Sequence, residues 1–172
     1  MTDTIKPLDP MLLRQTMGRF ATGVAVVTTS VDGDEHGMTV NSLTSVSLDP
    51  PMLLVCFNKG ARTEQSIEAA DHFAVNILGA RQEEVSNRFA RRGEDHFGGL
   101  DLPTHESRMP LIPGSLAQIV CRVDRVVEAG DHVVVLGLIE DVTQREGAPL
   151  LFFGGTYGDF VDRGHTADFW YH

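Results

Sequence analysis

The stretch from Gly37 to Asn58, GMTVNSLTSVSLDPPMLLVCFN, constrains the fold of this chain more than any other. Its second half, Met52 to Phe57, is a short apolar run closed by Asn58-Lys59-Gly60, the pattern of a buried strand that ends in a turn. Asp49-Pro50-Pro51 stands just before it, and proline belongs at a strand boundary rather than within a central strand. The first half differs. From Thr39 to Ser47 the apolar residues are separated by hydroxyl and amide side chains: Thr39, Asn41, Ser42, Thr44, Ser45 and Ser47. Such a density of neutral hydrogen-bonding groups suits a surface that holds a polar ring or a phosphate without adding charge. It also suits a solvent-facing strand edge, and composition leaves both readings open.

The flanking chain is read as β structure with a few helices. Asp9-Pro10 before MLLRQTMGRF is a helix start, with Asp9 as N-cap and proline at the first helical position. A helix over about Pro10 to Arg19, with Leu12, Leu13, Met17 and Phe20 near one face, is expected to cap a core. The β-branched run Val24 to Val31 leads through Asp32-Gly33-Asp34 into the organising stretch, a hairpin with a polar connection of five to six residues. Thr63 to Ala70, with Thr63 as N-cap, and Gln82 to Ala90 read as helices on either side of a strand at Phe73 to Leu78. Arg91 to Gly114 has no period and reads as a long loop, a length that is often functional. Leu116 to Glu128 and His132 to Val142 form a second hairpin about Gly130-Asp131, and Leu150 to Phe153 is a further strand before the glycine-rich GGTYGDF. Six or seven strands joined mainly by turns describe a closed antiparallel barrel with helical additions.

With 172 residues the chain is expected to be one domain, a barrel over about 12–157 and a polar tail over 158–172. A formal charge of -10 argues against nucleic acid, whose binding needs clustered lysine and arginine. No run of eighteen apolar residues marks a membrane span, and the first ten residues lack the pattern of a secretory signal, so a cytoplasmic address is expected. Cys56 and Cys121 sit in apolar runs and read as reduced core thiols. The seven histidines are dispersed without metal-site spacing, so no metal is expected. Neither a dinucleotide fingerprint nor a hydrolase elbow is present. The carboxylate pairs Glu83-Glu84 and Glu94-Asp95 are expected to face solvent.

Two features stand out from this background. His132 follows the turn Gly130-Asp131 directly before an apolar strand, where a histidine is either merely exposed or functional. Lys59, Arg62, Arg88, Arg91 and Arg92 form a basic set near element ends in an acidic chain, suited either to solvent or to anionic groups.

The order of these segments resembles the flavin reductase family of FMN-binding split barrels, which supply reduced flavin to two-component monooxygenases. FATGVAVVT at Phe20 to Thr28, the whole of Gly37 to Asn58, FAVNIL with the later Phe89-Ala90, and GDH at Gly130 to His132 carry the resemblance. It implies a six-stranded antiparallel Greek-key split β-barrel with N-terminal and inserted helices, assembled as a homodimer. It implies an NAD(P)H:flavin oxidoreductase that uses FMN or FAD, takes its hydride from NADH, with NADPH possible, and serves an oxygenase partner. By the same resemblance Thr39, Asn41, Ser42, Ser45, Val46 and Ser47 lie along the flavin, with Cys56 and Asn58 on the next strand. Thr63, Phe89 and Ala90 lie near the ribityl phosphate, and His132 lies at the nicotinamide side as the catalytic candidate. A flavin-binding protein of the same barrel without reductase activity would keep the first motif and not need the GDH turn.

Overall fold

A computed structural model describes residues 8–93 and 95–164; Glu94 and the chain end from His165 to His172 lie outside the described residues. In chain order its elements begin with α1 (Pro10–Met17), β1 (Thr22–Gly23), β2 (Ala25–Val31), β3 (Asp34–Val40), β4 (Thr44–Leu48) and β5 (Pro51–Asn58). They continue with α2 (Arg62–Ala70), β6 (His72–Ile77), α3 (Glu83–Ala90), β7 (Ala117–Ala129), β8 (His132–Gln144), β9 (Leu151–Phe153) and β10 (Thr156–Gly158). No helix among the described residues is long and apolar enough to cross a membrane.

Seven strands form one antiparallel sheet in the order β3-β2-β6-β7-β8-β5-β4, and β1-β9-β10 form a second. The fold is mainly β, as expected, but the expectation of six or seven strands undercounts it. β1 and β10 are two and three residues long, too short to show a period of two. The connection from β2 to β3 is also shorter than expected. Val31 pairs with Asp34, so Asp32-Gly33 is a two-residue turn, with φ of 52° and 95° at the two positions. Positive φ at both turn residues matches the twist of the flanking strands, and Asp-Gly is a sequence suited to it.

β2 explains its own composition. Ala25 and Val27 point into the main core with Val40, Leu53, Val55, Phe57, Phe73, Val75, Val133 and Val135, while Val24 and Val26 point the other way, toward Leu78, Phe89, Phe97, Ile112 and Leu150. A strand buried on both faces reads as a continuous apolar, β-branched run. The β7–β8 pairing carries two irregularities, with Glu140 extra on β8 opposite Val120 and Cys121 and Asp124 extra on β7 between Val123 and Arg125, and such extra residues bend the sheet. At Gly137 a Cβ would stand 2.6 Å from Phe73 Cζ, so only glycine there admits the buried ring. Cys121 packs against the same place, and burial, with the Glu140 charge adding to it, pushes its thiol up to about 12. The thiol therefore stays protonated at neutral pH, a core group rather than a nucleophile. Burial raises Cys56 as well.

Two local expectations are corrected. α1 starts at Pro10 with Asp9 capping Met11 N–H at 2.9 Å, as read, but none of its residues is buried. Leu12, Leu13, Met17 and Phe20 remain 48–72% exposed, so the helix does not cap the core of its own chain. The N-cap of α2 lies two residues earlier than expected, at Ala61 rather than Thr63, with no side chain capping it. Thr63 is therefore inside the first turn, and Glu64 reaches back instead, accepting from Gly60 N–H at 3.0 Å.

Among its described residues the long loop is irregular apart from a single bridge, Thr104 with Pro110. It does not hang free: Phe97, Met109 and Ile112 are buried in the core of this chain. Asn76, wholly buried on β6, organises that docking. Its Nδ2 donates to Val26 O at 3.1 Å and to Thr28 Oγ1 at 3.2 Å, its Oδ1 accepts from Ile112 N–H at 2.8 Å, and Thr28 in turn donates to Pro110 O at 2.5 Å.

Candidate functional site

A cleft of about 1030 Å³ opens where the β3 edge, the β5–α2 turn, α3 and the segment after α3 converge. Ligand pockets run to about 300–1,000 Å³, so it has room for a mononucleotide-sized molecule. Its wall from the organising stretch is Gly37, Met38, Thr39, Val40 and Asn41, and across it stand Asn58 and Thr63. Phe89 and Ala90 close one side, with Ser86 and Tyr157 beyond them.

Local structure accounts for this wall. β3 is an edge strand, so one row of its backbone groups is left for the cleft. Gly37 is needed there, since a Cβ would sit 2.9 Å from Phe89 Cε1 and 3.1 Å from Val27 O. Thr39 Oγ1 donates to Ser86 O at 2.6 Å, which ties β3 to α3. Tyr157 OH shares a 2.8 Å hydrogen bond with Ser86 Oγ and donates to Asn87 Oδ1 at 3.1 Å, which seats the β9–β10 hairpin on the same helix.

Of the residues expected at a flavin site, Thr39, Asn41, Asn58, Thr63, Phe89 and Ala90 line this one cleft. Ser42, Ser45, Val46, Ser47, Cys56 and His132 are not part of its wall. Ser42 instead holds the sheet together, because Cys56 N–H donates to its hydroxyl at 3.0 Å and the hydroxyl donates to Cys56 O at 3.1 Å. β4 pairs with β5 only as far as Leu54, so this one side chain supplies the missing rung beyond it and draws the ends of the sheet together. Ser45 and Val46 are exposed on β4 at a register shift, and Ser47 Oγ accepts from Asp49 N–H at 3.2 Å. His132 pairs with Asn58 across β5 and β8, one strand from the cleft wall. Its Nδ1 donates to Asp131 Oδ1 at 2.7 Å, so Nε2 is the nitrogen turned away from that bond. This hydrogen bond and the adjacent imidazole charge hold the Asp131 carboxyl below the usual carboxylate range.

Electrostatically the cleft departs from the rest of the molecule. Lys59, Arg62, Arg91 and Arg92 all line it, four of the basic set of five, in a chain with ten more acidic than basic groups. The fifth, Arg88, instead donates to the carbonyls of His96 and Gly98 and braces the segment after α3. Lys59 also bonds Glu128 at 2.8 Å, which lowers that carboxyl. Thr63 is only 5% exposed and lines the cleft. It stands in the first turn of α2, where uncapped N–H groups and the positive end of the helix favour an anion. A phosphate ester fits this corner.

Residues 17–160 match the family described as flavin reductase like domain. The chain belongs to the flavin reductase family. Among its relatives is the reductase subunit HsaB of a flavin-dependent monooxygenase from Mycobacterium tuberculosis. It is 39% identical over 95% of this chain and 89% of its own length. The FMN reductase (NADH) SmoA of Agrobacterium fabrum is 42% identical, over 86% of this chain and 84% of its own. Among solved structures, the NADH:FAD oxidoreductase SgcE6 of Streptomyces globisporus C-1027, in complex with NAD and FAD fragments, superposes with a TM-score of 0.84. It shares 39% identity over 93% of this chain and 99% of that one.

Reading the sequence missed Glu35, His36, Ser86, Asp95, His96 and Tyr157, all of which line the cleft of this flavin reductase. Only Tyr157 carried a local signal, as the sole aromatic between the glycines of GGTYGDF.

Proposed function

We propose that this flavin reductase moves a hydride from reduced nicotinamide to FMN or FAD and passes the reduced flavin to a partner monooxygenase. The observation that carries the reading is the cleft itself, with neutral hydrogen-bonding groups on one wall and a cationic corner at the start of α2. Bound flavin supplies the redox chemistry, so the protein needs no nucleophile of its own. Thr39, Asn41 and Asn58 offer neutral donors and acceptors to a polar ring edge. Thr63, the first N–H groups of α2 and Arg62 hold the phosphate end, and Phe89 and Ala90 back it. Ser42, Ser45, Val46, Ser47 and Cys56 complete the flavin surface beyond the cleft of one subunit, and His132 serves the nicotinamide side. NADH is the expected donor; with NADPH, the Arg91-Arg92 pair would meet the 2′-phosphate. Positioning two rings in reacting distance is the protein's main contribution, a term that reaches roughly 7–11 kcal/mol in ideal intramolecular cases.

The finer architecture we infer is a six-stranded Greek-key split barrel of β2, β3, β5, β6, β7 and β8, with β4 as a lip. It is one domain, with the barrel over about 12–157 and the tail over 158–172, at a cytoplasmic address. A second copy of the chain covers the exposed apolar face of α1 and Phe20, giving a two-fold homodimer, since monomers rarely leave so much contiguous apolar surface in water. Sedimentation is expected to show twice the chain mass at micromolar concentration, and a stable monomer that binds flavin tightly would overturn the dimer. For the activity, absorbance of NADH and then NADPH is followed with and without added FMN or FAD. Flavin-dependent consumption of nicotinamide is expected. Flavin binding with no consumption would leave a non-enzymatic flavin carrier, and absence of both would end the reductase reading.

A further inference from the structure

The segment from Arg91 to Gly98 leaves α3 and lines the cleft with Arg91, Arg92, Gly93 and Asp95. Besides Arg88, which donates to the carbonyls of His96 and Gly98, two groups of contacts among the described residues hold it. Phe97 is buried edge-on against Phe89 with ring centroids 5.2 Å apart, and the Asp95 carboxylate accepts from Phe97 N–H at 3.1 Å and Gly98 N–H at 3.0 Å. The second anchor is His96. Its Nδ1 lies 3.0 Å from Gly37 O on β3, and its Nε2 lies 2.6 Å from Arg91 O.

Both partners are carbonyl oxygens, which only accept. A neutral imidazole has one N–H and one lone pair, so it can bond one of them and must turn a lone pair toward the other. Only the ring with a proton on each nitrogen makes both bonds. Among the described residues, the other charged and titratable groups lining the cleft are Glu35 and His36 on β3, Lys59 and Arg62 at the β5–α2 turn, and Arg91, Arg92 and Asp95 on the segment itself, with Arg88 on α3 beside it. Arg88 Nε donates to the His96 carbonyl at 2.6 Å, so the backbone of this residue is held independently of its ring.

We propose that His96 is a positioning residue whose doubly protonated ring clasps the arginine-bearing segment to β3, and so sets how tightly the cleft holds the anionic part of its ligand. The clasp rests on geometry alone; its effect on ligand affinity rests on the flavin reading given above. Loss of the second proton removes one of the two bonds, and the segment carrying Arg91 and Arg92 loosens while the barrel stays intact.

The test uses the full chain without ligand, as wild type, His96→Phe and His96→Arg. Phenylalanine keeps a ring against Phe89 and removes both donors; arginine stays charged and offers several donors at any working pH. Hydrogen-exchange protection factors of the Arg91 to Gly98 amides, which divide out intrinsic exchange, are measured at pH 6 and 8.5. Wild-type protection is expected to fall about tenfold over that interval, the effect of one lost hydrogen bond. His96→Phe should be low at both pH values and His96→Arg high at both. Equal wild-type protection at the two pH values, or a phenylalanine variant as protected as wild type, overturns the clasp. FMN titration then addresses the ligand. A roughly tenfold weaker Kd in His96→Phe with recovery in His96→Arg supports the positioning role. Identical Kd values in all three overturn it, while no FMN binding by wild type, with the exchange pattern intact, refutes the flavin reading and leaves the clasp standing.

Discussion

Asn76→Leu is expected to lower the unfolding free energy by about 3–5 kcal/mol and the Tm by roughly 10 °C, read by denaturant and thermal unfolding. Leucine is close in size, so the loss comes from hydrogen bonding rather than from a cavity. Asn76 is fully buried and serves Val26 O, Thr28 Oγ1 and Ile112 N–H. Removing it strands the Ile112 N–H away from water and takes a donor from Val26 O and from Thr28 Oγ1, which keeps its bond to Pro110 O, at about 1–3 kcal/mol for each buried group left unpaired. The consequence is not confined to β6. Ile112 and Pro110 belong to the long loop, and this network fixes where that loop leaves the core. A loss under about 1 kcal/mol would show that water re-satisfies the site and that the loop is held by its apolar side chains alone.

His132→Ala is expected to cut kcat/KM for the nicotinamide donor by about 10–150-fold, the equivalent of 1.5–3 kcal/mol for one charge-assisted hydrogen bond. Fold and flavin affinity should stay nearly unchanged, because a half-exposed turn side chain buries little apolar surface. The structure gives this expectation a shape. Asp131 engages Nδ1, which leaves Nε2 for a ligand, and the pairing of His132 with Asn58 sets it one strand from the cleft. The lowered Asp131 carboxyl remains ionised through neutral pH, so the ring keeps its orientation until the pH falls through that lowered range. Stopped-flow reduction of flavin by NADH and NADPH provides the measurement. Unchanged kcat/KM together with weakened flavin binding would move His132 to the flavin side.

The strands and most turns were legible because their signals are local. Met52 to Phe57 is apolar between a Pro-Pro break and a turn, and it is β5 almost to the residue. The β2–β3 connection was misjudged because charged residues of β3, Asp34 and Glu35, look like loop when one face of an edge strand meets water. α1 was misplaced energetically rather than structurally. Its period announces an apolar face, but a period does not say whether that face meets its own core or another surface.

At the site the same boundary appears. The sequence by itself determined the family, the hydroxyl-rich stretch, the basic set and the GDH turn, because each is a run of neighbours whose chemistry is written in order. Only the tertiary structure decided which hydroxyl does what: Ser42 and Thr39 are near neighbours in one polar run, yet Ser42 closes a gap in the sheet while Thr39 joins the cleft to α3. It also brought Arg62, Arg92, His96 and Tyr157 to one cleft across nearly a hundred residues of chain. Such meetings depend on how far the sheet curls and which way each edge side chain points. Those are set by packing at Gly37, Gly137 and Asn76 rather than by any pattern at the residues that meet.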